Sequence, residues 1–476
     1  MALGAVAVVA VGIVVLCSTP VVRFPSWREV VVASGSAVSL ACVWQLRAAL
    51  VAELRRRRLG LVTLSLVAVV VSCAWSVGAL LTDGRTLDLG VAAVVGVVVL
   101  ACHAIHREAA AGPTPVPAWF VPAALGIAVA TVGVWLAIDA RPARALGAGV
   151  AVTIAACPGA IGLAVPAVYR YGTRRGDALG VAIHDVATLG ASREVDVVVL
   201  DGLGTVASGK RVASVDAFVA DHERNLRWFA GALEHASSHP VGKAIAKLSA
   251  RGRLSGVEQH PGLGISGSVD RHPVRVGRPE WVGIDVTERV GTIVGVEVDA
   301  RPLGTITVVD AVRPTAKAAA DALRRIDVDP VLVTTANPLT AKDLAEQVGV
   351  DRYVAEAQAT STATLLSELR DEGRTVAVLT DSELVLSTDD DGSARPTVTL
   401  TEGDVAEAVT ALGLARTMDA QARSTLRFAT AYTAVAVAVA ATGVLPPMGA
   451  ALALAASSLA VLASATRLRR FEAPAR

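Results

Sequence analysis

Apolar residues fall in blocks of membrane-crossing length at both ends of the chain. A long middle stretch alternates between short apolar runs and helical spacing. The blocks lie at roughly 2–19, 29–52, 59–82, 89–105, 117–138, 144–169, 424–445 and 447–466. A bilayer-crossing helix needs about 20 apolar residues, so the pattern predicts about eight spans. The block at 2–19 lacks a basic start and a clear small-residue cleavage site, so it reads as a retained helix rather than a leader. Arginines set the orientation. Arg55 to Arg58 follow the second block, Arg170, Arg174 and Arg175 the sixth, and Arg467, Arg469 and Arg470 the eighth. The positive-inside rule puts these clusters on one side, which makes both termini and the region 170–423 cytoplasmic in a multi-pass protein of the cell membrane.

The middle stretch has a different period. Val197 to Leu200, Val331 to Val333 and Val376 to Leu379 are short, fully apolar runs, as expected for strands buried on both faces. Ala316 to Arg325 and Leu339 to Val348 have helical spacing. Such alternation predicts a parallel sheet wrapped by helices, and ligands of such sheets bind at the carboxyl ends of the strands. Asp201, Thr334 and Asp381 each come at or just past such an end, which groups them as a candidate site. Residues 210–305 form an inserted lobe carrying Ser237-Ser238-His239-Pro240 and Pro261-Gly262-Leu263-Gly264. A Gly-x-Gly taken alone also fits a tight β-turn.

Two strings carry specific chemistry. Cys157-Pro158-Gly159 sits inside the sixth apolar block, where proline frees backbone carbonyls that can face an ion. Asp201-Gly202-Leu203-Gly204-Thr205 places a carboxylate at a strand end before a glycine-rich turn. Together these resemble the heavy-metal P-type ATPases, the copper-type branch especially, in which the strings read Cys-Pro-Cys and Asp-Lys-Thr-Gly-Thr. The resemblance implies an α-helical membrane bundle plus a cytoplasmic α/β haloacid-dehalogenase-like phosphorylation domain with an inserted α+β nucleotide-binding lobe. The expected division is 1–169 for spans one to six, 170–209 with 306–423 for the phosphorylation-like domain, 210–305 for the lobe, and 424–476 for spans seven and eight.

The resemblance also assigns roles. Asp201 takes the place of the phosphorylated aspartate, Thr334 that of the phosphoryl-holding threonine, and Asp381 that of the magnesium-binding aspartate. Magnesium would use Asp201, the Leu203 carbonyl and Asp381. ATP would meet His239, Gly262 and Gly264, and the transported metal would meet Cys157.

Several family positions are changed. The lysine after the phosphorylated aspartate is Gly202, and a second family lysine falls on Thr362. The chain's lysines are Lys210, Lys243, Lys247, Lys317 and Lys342, none of which lies near Thr362 in sequence. Ser238 replaces a glutamate, Arg278 an asparagine, and Ala336 an aspartate. Gly159 replaces the second cysteine of the membrane string. The Tyr-Asn of the seventh span reads Tyr432-Thr433, and the eighth carries Leu454, Ser457, Ser458 and Ser464. A family actuator domain with a Thr-Gly-Glu loop belongs between spans four and five, yet His106 to Pro117 is the whole connection. A dozen residues cannot bury a core. Losing one placed cation opposite a transferring phosphoryl costs orders of magnitude in rate.

Composition agrees with a membrane protein. Hydrophobic residues make up 53% of the 476, with mean hydropathy +0.54. A net charge of +1 gives no footprint for nucleic acid. Cys17, Cys42, Cys73, Cys102 and Cys157 all lie in apolar blocks, which leaves no soluble pair for a disulfide or a zinc site and no amino-terminal Cys-x-x-Cys domain. Cys102, His103 and His106 form a possible small metal cluster at a helix end, against a plain interfacial helix end. Asp389-Asp390-Asp391-Gly392 reads as a solvated turn rather than a calcium loop.

The expectation is a degenerate, pump-incompetent member of the family with a regulatory or structural role, such as pairing with an intact transporter. The alternative is a working ATP-driven transition-metal transporter phosphorylated on Asp201. A membrane-anchored phosphatase ranks last, because position 203 is leucine where that class needs an acid.

Overall fold

The computed structural model describes residues 17, 24–55, 59–82, 86–109, 117–139, 141–201, 203–287, 289–386 and 397–473. The block at 2–19, Arg56 to Arg58, Gly202 and the run Asp389 to Gly392 lie outside them, apart from the single residue Cys17. The chain divides into two compact units, Met1–Arg175 with Thr417–Phe471, and Gly176–Arg416 with Glu472–Arg476.

The first unit is helical. Among the described residues seven helical stretches are long and apolar enough to cross a membrane: Trp27–Arg55, Leu61–Leu81, Thr86–Glu108, Phe120–Asp139, Pro142–Asp177, Val405–Ala441 and Pro447–Arg470. These match seven of the eight apolar blocks. Two differ in detail. The block 144–169 is not one helix. It breaks into Pro142–Ala155 and Gly159–Asp177 around Cys157-Pro158. Proline has no N–H to continue the ladder. The Cys157 N–H donates to the Ile154 carbonyl at 3.0 Å, and the Gly159 N–H to the Cys157 carbonyl at 2.9 Å. An unbroken helix would send the Gly159 donor to Ala155. The block at 424–445 is the later part of one continuous 37-residue helix, Val405–Ala441. Cys42, Leu66, Val95, Ile154, Cys157, Ala451 and Leu454 pack into one core of this unit.

The second unit holds two sheets. Its strands in chain order are β1 (Val181–Ile183), β2 (Val197–Asp201), β3 (Ala207–Ala217), β4 (Leu254–His260), β5 (Gly264–Val269), β6 (His272–Gly277) and β7 (Thr292–Val298). They continue as β8 (Arg301–Val312), β9 (Asp329–Val333), β10 (Arg352–Val354), β11 (Val376–Leu379), β12 (Glu383–Val385) and β13 (Thr397–Leu400). The first sheet runs β1-β13-β12-β11-β2-β9-β10, with β11, β2, β9 and β10 parallel. β2 is central, which explains its unbroken Val-Val-Val-Leu run: both of its faces are covered. Val197, Val199, Val331, Val333, Val376 and Val378 share one face and pack on Leu365 and Leu369 of the helix Ala359–Asp371.

The second sheet is antiparallel, ordered β3-β8-β7-β6-β5-β4. The helices Glu223–Glu234 and Pro240–Ala246 pack on it through Leu226, Leu233, Ile245, Ile265, Val276, Val296 and Ile306. Antiparallel strands with one covered face alternate buried and open positions, as β6 does at Val274 and Val276. The bundle, the haloacid-dehalogenase-like sheet and the inserted lobe are the architecture the sequence predicts.

Candidate functional site

The carboxyl ends of the parallel strands bring three of the candidate residues to one edge. Asp201 ends β2 and pairs in register with Val333, the last residue of β9. Thr334 follows Val333 directly. Leu379 of β11 pairs with Leu200, and Asp381 lies two residues beyond it. The turn Leu203–Val206 starts at once after Gly202, so its glycine approaches the β11 loop closely. A Cβ on Gly204 would stand 2.3 Å from an Asp381 carboxylate oxygen. Gly403 presses on the same loop from the other side, at φ +64°, where a Cβ would meet the Asp381 carbonyl at 1.8 Å.

Two carboxylates therefore face one small space. Burial raises the Asp201 carboxyl above the usual range, and the neighbouring Asp381 charge raises it further. Thr334 is 2% exposed, and its hydroxyl accepts the Ala336 N–H at 3.2 Å. Asn337 caps the helix Pro338–Val348 by accepting the Thr340 N–H at 2.8 Å. Two crowded carboxylates are oxygen donors that suit a hard divalent cation, so the residues present fit magnesium.

Arg313, just past β8, is held by Glu402 at 3.4 Å and Asp404 at 3.7 Å. Lys210 pairs with Asp310 at 2.7 Å. Lys342 sits 4.0 Å from Glu346 on its own helix. Thr362 lies in the first turns of Ala359–Asp371.

In the inserted lobe, His239 is exposed and caps the helix Pro240–Ala246, its Nδ1 accepting the Val241 N–H at 3.3 Å. Gly262 (φ +75°) and Gly264 (φ +154°) both need the freedom of glycine, and a Cβ on Gly264 would strike the Val276 carbonyl at 2.2 Å. Arg278 is exposed beyond β6, its N–H donating to the Leu263 carbonyl at 2.8 Å. Gln259 reaches from β4 to the Ala236 carbonyl at 3.3 Å, which ties this hairpin to the loop before His239.

One lobe residue escaped the sequence reading. Glu234 is 6% exposed, and one of its carboxylate oxygens has no hydrogen-bond partner. Burial pushes its carboxyl up to about 7, against a lowering hydrogen bond from Ser237. Gly242 makes room for it, since a Cβ there would lie 2.2 Å from that open oxygen. The signal was present: Leu226, Ala230 and Glu234 follow at four-residue steps, which puts the glutamate on the buried face of its helix.

In the helical unit, Cys157 is 2% exposed at the helix break. Gly159 is closely covered: a Cβ would meet Leu454 and the Ser458 hydroxyl, each at 3.0 Å. The Tyr432 hydroxyl donates to the Ala453 carbonyl at 2.9 Å, and Gln421 donates to the Ser464 side chain. The cluster of Cys102, His103 and His106 does not form. The Cys102 thiol turns instead to the Gly159 carbonyl, 3.7 Å away. Among the described residues no trio of His, Cys, Asp or Glu is placed to hold a metal.

An α/β sheet with an aspartate at the end of its central strand, an inserted lobe and a bundle of membrane-length helices define a membrane protein with a haloacid-dehalogenase-like domain. Residues 195–382 match the haloacid dehalogenase-like hydrolase family. The chain is 34% identical over 383 residues to a copper-exporting P-type ATPase of Mycobacterium tuberculosis, covering 74% of this chain and 50% of that protein. It is 31% identical over 399 residues to a probable copper-transporting ATPase, PacS, of Synechococcus elongatus, covering 75% and 53%. The fold is similar to a crystal structure of a zinc-transporting PIB-type ATPase in the E2.Pi state, with TM-score 0.59 and 21% identity over 78% of this chain and 67% of that one. The chain belongs to the heavy-metal P-type ATPase family and is a multi-pass membrane protein. It spans about half the length of the curated relatives it matches.

Proposed function

We propose that this chain is a pump-incompetent member of its family, retained for a regulatory or structural role beside an intact transporter. The observation that carries this reading is the carboxylate edge itself. Asp201 lies beside Asp381, and Gly202 and Thr362 stand where the resemblance places two lysines. A phosphoryl group arriving there meets negative charge without either of those two ammonium groups to balance it. Phosphoryl transfer depends almost wholly on such placed charge. The segment 110–119 between the helices Val91–Ala109 and Phe120–Asp139 is also too short to fold as an actuator.

Asp201, the Leu203 carbonyl and Asp381 would hold magnesium, which when bound supplies charge neutralisation at phosphate oxygens. Thr334 would hold a phosphoryl oxygen by its hydroxyl. The lobe would bind adenine nucleotide along His239, Gly262 and Gly264. The open oxygen of Glu234 would accept a hydrogen from the exocyclic amine of the base. The arginine clusters support a cytoplasmic position for the region 170–423 and both termini.

The alternative is an active copper-like cation transporter phosphorylated on Asp201. What favours it is that Asp201, Thr334 and Asp381 share one edge. Labelled ATP separates the two readings. Purified full-length chain, given ATP labelled on the γ-phosphate, magnesium and copper(I), is expected to yield no acid-stable phosphoprotein. Label that appears and is lost in Asp201→Asn would establish the active transporter instead.

A further inference from the structure

Two arginine runs at the ends of membrane-length helices are locked together. The helix Gly159–Asp177 carries Arg170, Arg174 and Arg175. The short 3-10 helix Thr466–Arg470, which continues Pro447–Ala465, carries Arg467, Arg469 and Arg470. Tyr171 and Arg175 are four residues apart and so share one helix face. That face meets the second run. The Arg175 guanidinium donates to the Phe471 carbonyl from Nε at 2.8 Å and from Nη2 at 2.6 Å, and the Arg469 guanidinium lies 4.8 Å from the centre of the Tyr171 ring. Leu468, 3% exposed, anchors the short helix on its covered side. With three residues per turn, Arg467 and Arg470 eclipse one another on the open side. Both are exposed, as is Arg174 next to Arg175. Arg170 is paired with Glu108 at 2.6 Å, and nearby Asp419 is taken by Arg423 at 2.7 Å. Arg174, Arg467 and Arg470 make no ion pair among the described residues.

We propose that Arg174, Arg467 and Arg470 form a headgroup site for an anionic phospholipid. The site stands where headgroups lie, at the ends of two stretches long and apolar enough to cross a membrane, Pro142–Asp177 and Pro447–Arg470. A guanidinium presents parallel N–H donors that match phosphate oxygens. Like charges set on one 3-10 turn repel, and a phosphate between them relieves that repulsion. Orienting a chain in the membrane needs only an excess of arginine on one side. It does not need one run held against a second helix by a two-donor bond and a ring stack, with the open guanidiniums left on adjoining segments. Basic clusters beside a span draw anionic lipid in this way. A zwitterionic choline headgroup fits less well, since its ammonium would face three guanidiniums. An acidic peptide offers the same charge without acyl chains, whereas Leu452 and Leu459, seven residues apart on Pro447–Ala465, form an open apolar stripe for such chains to cover. The site is independent of whether the chain pumps or is phosphorylated.

The test is native mass spectrometry of the full-length chain, delipidated in detergent and titrated with dioleoyl phosphatidylglycerol or dioleoyl phosphatidylcholine. The phosphatidylglycerol is expected to bind at least about tenfold more tightly. Each open arginine should supply about fivefold of that preference, so Arg467→Gln/Arg470→Gln should abolish most of it and Arg174→Gln should lower it about fivefold. Arg144→Gln, at the far end of Pro142–Asp177 and already held by Asp139 at 3.1 Å, should keep the parent's preference. Sodium phosphate and hexaglutamate, each in molar excess, should leave the lipid bound. Circular dichroism identifies a double variant that fails to fold, and Arg174→Gln then carries the decision. Equal affinity for the two lipids overturns the site, as does an undiminished preference in folded Arg467→Gln/Arg470→Gln. An equal loss in Arg144→Gln would also overturn it, by showing diffuse attraction to net charge. Displacement by phosphate or by hexaglutamate would assign the patch to a free anion or an acidic peptide and overturn the lipid.

Discussion

Single residues carry the tightest constraints. Gly403 holds φ +64° against the Asp381 backbone, and its N–H donates to Glu407 at 3.1 Å. Gly403→Ala adds a Cβ into a carbonyl and into an unfavourable backbone region, so it should cost about 2 kcal/mol or more. A lower unfolding midpoint of the full-length chain checks this. Glu234 makes the chain's stability depend on pH. Its carboxyl rises from an ordinary 4.5 to about 7 on folding, so the folded lobe holds the proton more tightly than the unfolded chain. The stabilisation is present in full below about 4.5, falls as pH rises through the window to about 7, and is then gone. The span amounts to roughly 3 kcal/mol. Denaturation of Glu234→Gln at pH 5 and pH 8 should show that part of the slope removed. No motif marks this glutamate, and only its four-residue spacing from Leu226 and Ala230 hints at burial.

Elements show why some of the site was legible and some was not. Val197–Asp201, Asp329–Val333 and Val376–Leu379 are apolar on both faces, so each reads as a strand and each points at its own terminal residue. Their pairing order was not in the pattern. It takes the register Asp201↔Val333 and Leu200↔Leu379 to put Thr334 and Asp381 on either side of Asp201. The membrane block at 144–169 read as one helix because hydropathy ignores hydrogen bonds, whereas the missing proline donor splits it at 156–158. Thr362, which the resemblance matches to a family lysine, lies on the helix Ala359–Asp371. If absent cations are the defect, Gly202→Lys with Thr362→Lys should bring back an acid-stable phosphoprotein, while either change alone should give little. Lack of label in the folded double variant would place the defect elsewhere.

At the scale of the molecule, the two compact units each have their own core, one around Cys42, Val95 and Cys157, the other in the two sheets around Val199 and Ile306. Coupling between distant sites requires an element with two arrangements that both sites bias. On the proposed reading, the short connection at 110–119 leaves no actuator for that purpose. Nucleotide and copper(I) should therefore bind independently. Saturating copper(I) is expected to change the dissociation constant for an ATP analogue by less than about twofold, against the 5–150-fold of typical coupling. A larger shift, seen by isothermal titration of the full-length chain, would show that the units still communicate.

Apolar runs and their lengths already specified a membrane bundle with an α/β domain, because burial in lipid or between sheet faces leaves a one-dimensional trace. The family strings at Cys157 and Asp201 were equally local. Proximity across the chain left no such trace. That Cys102 turns to Gly159 rather than to His106, that Gly204 and Gly403 clamp Asp381, and that Glu234 keeps one oxygen open are set by packing between segments far apart in sequence. Side-chain direction depends on what a neighbouring helix or strand leaves vacant, and only the folded chain supplies those neighbours.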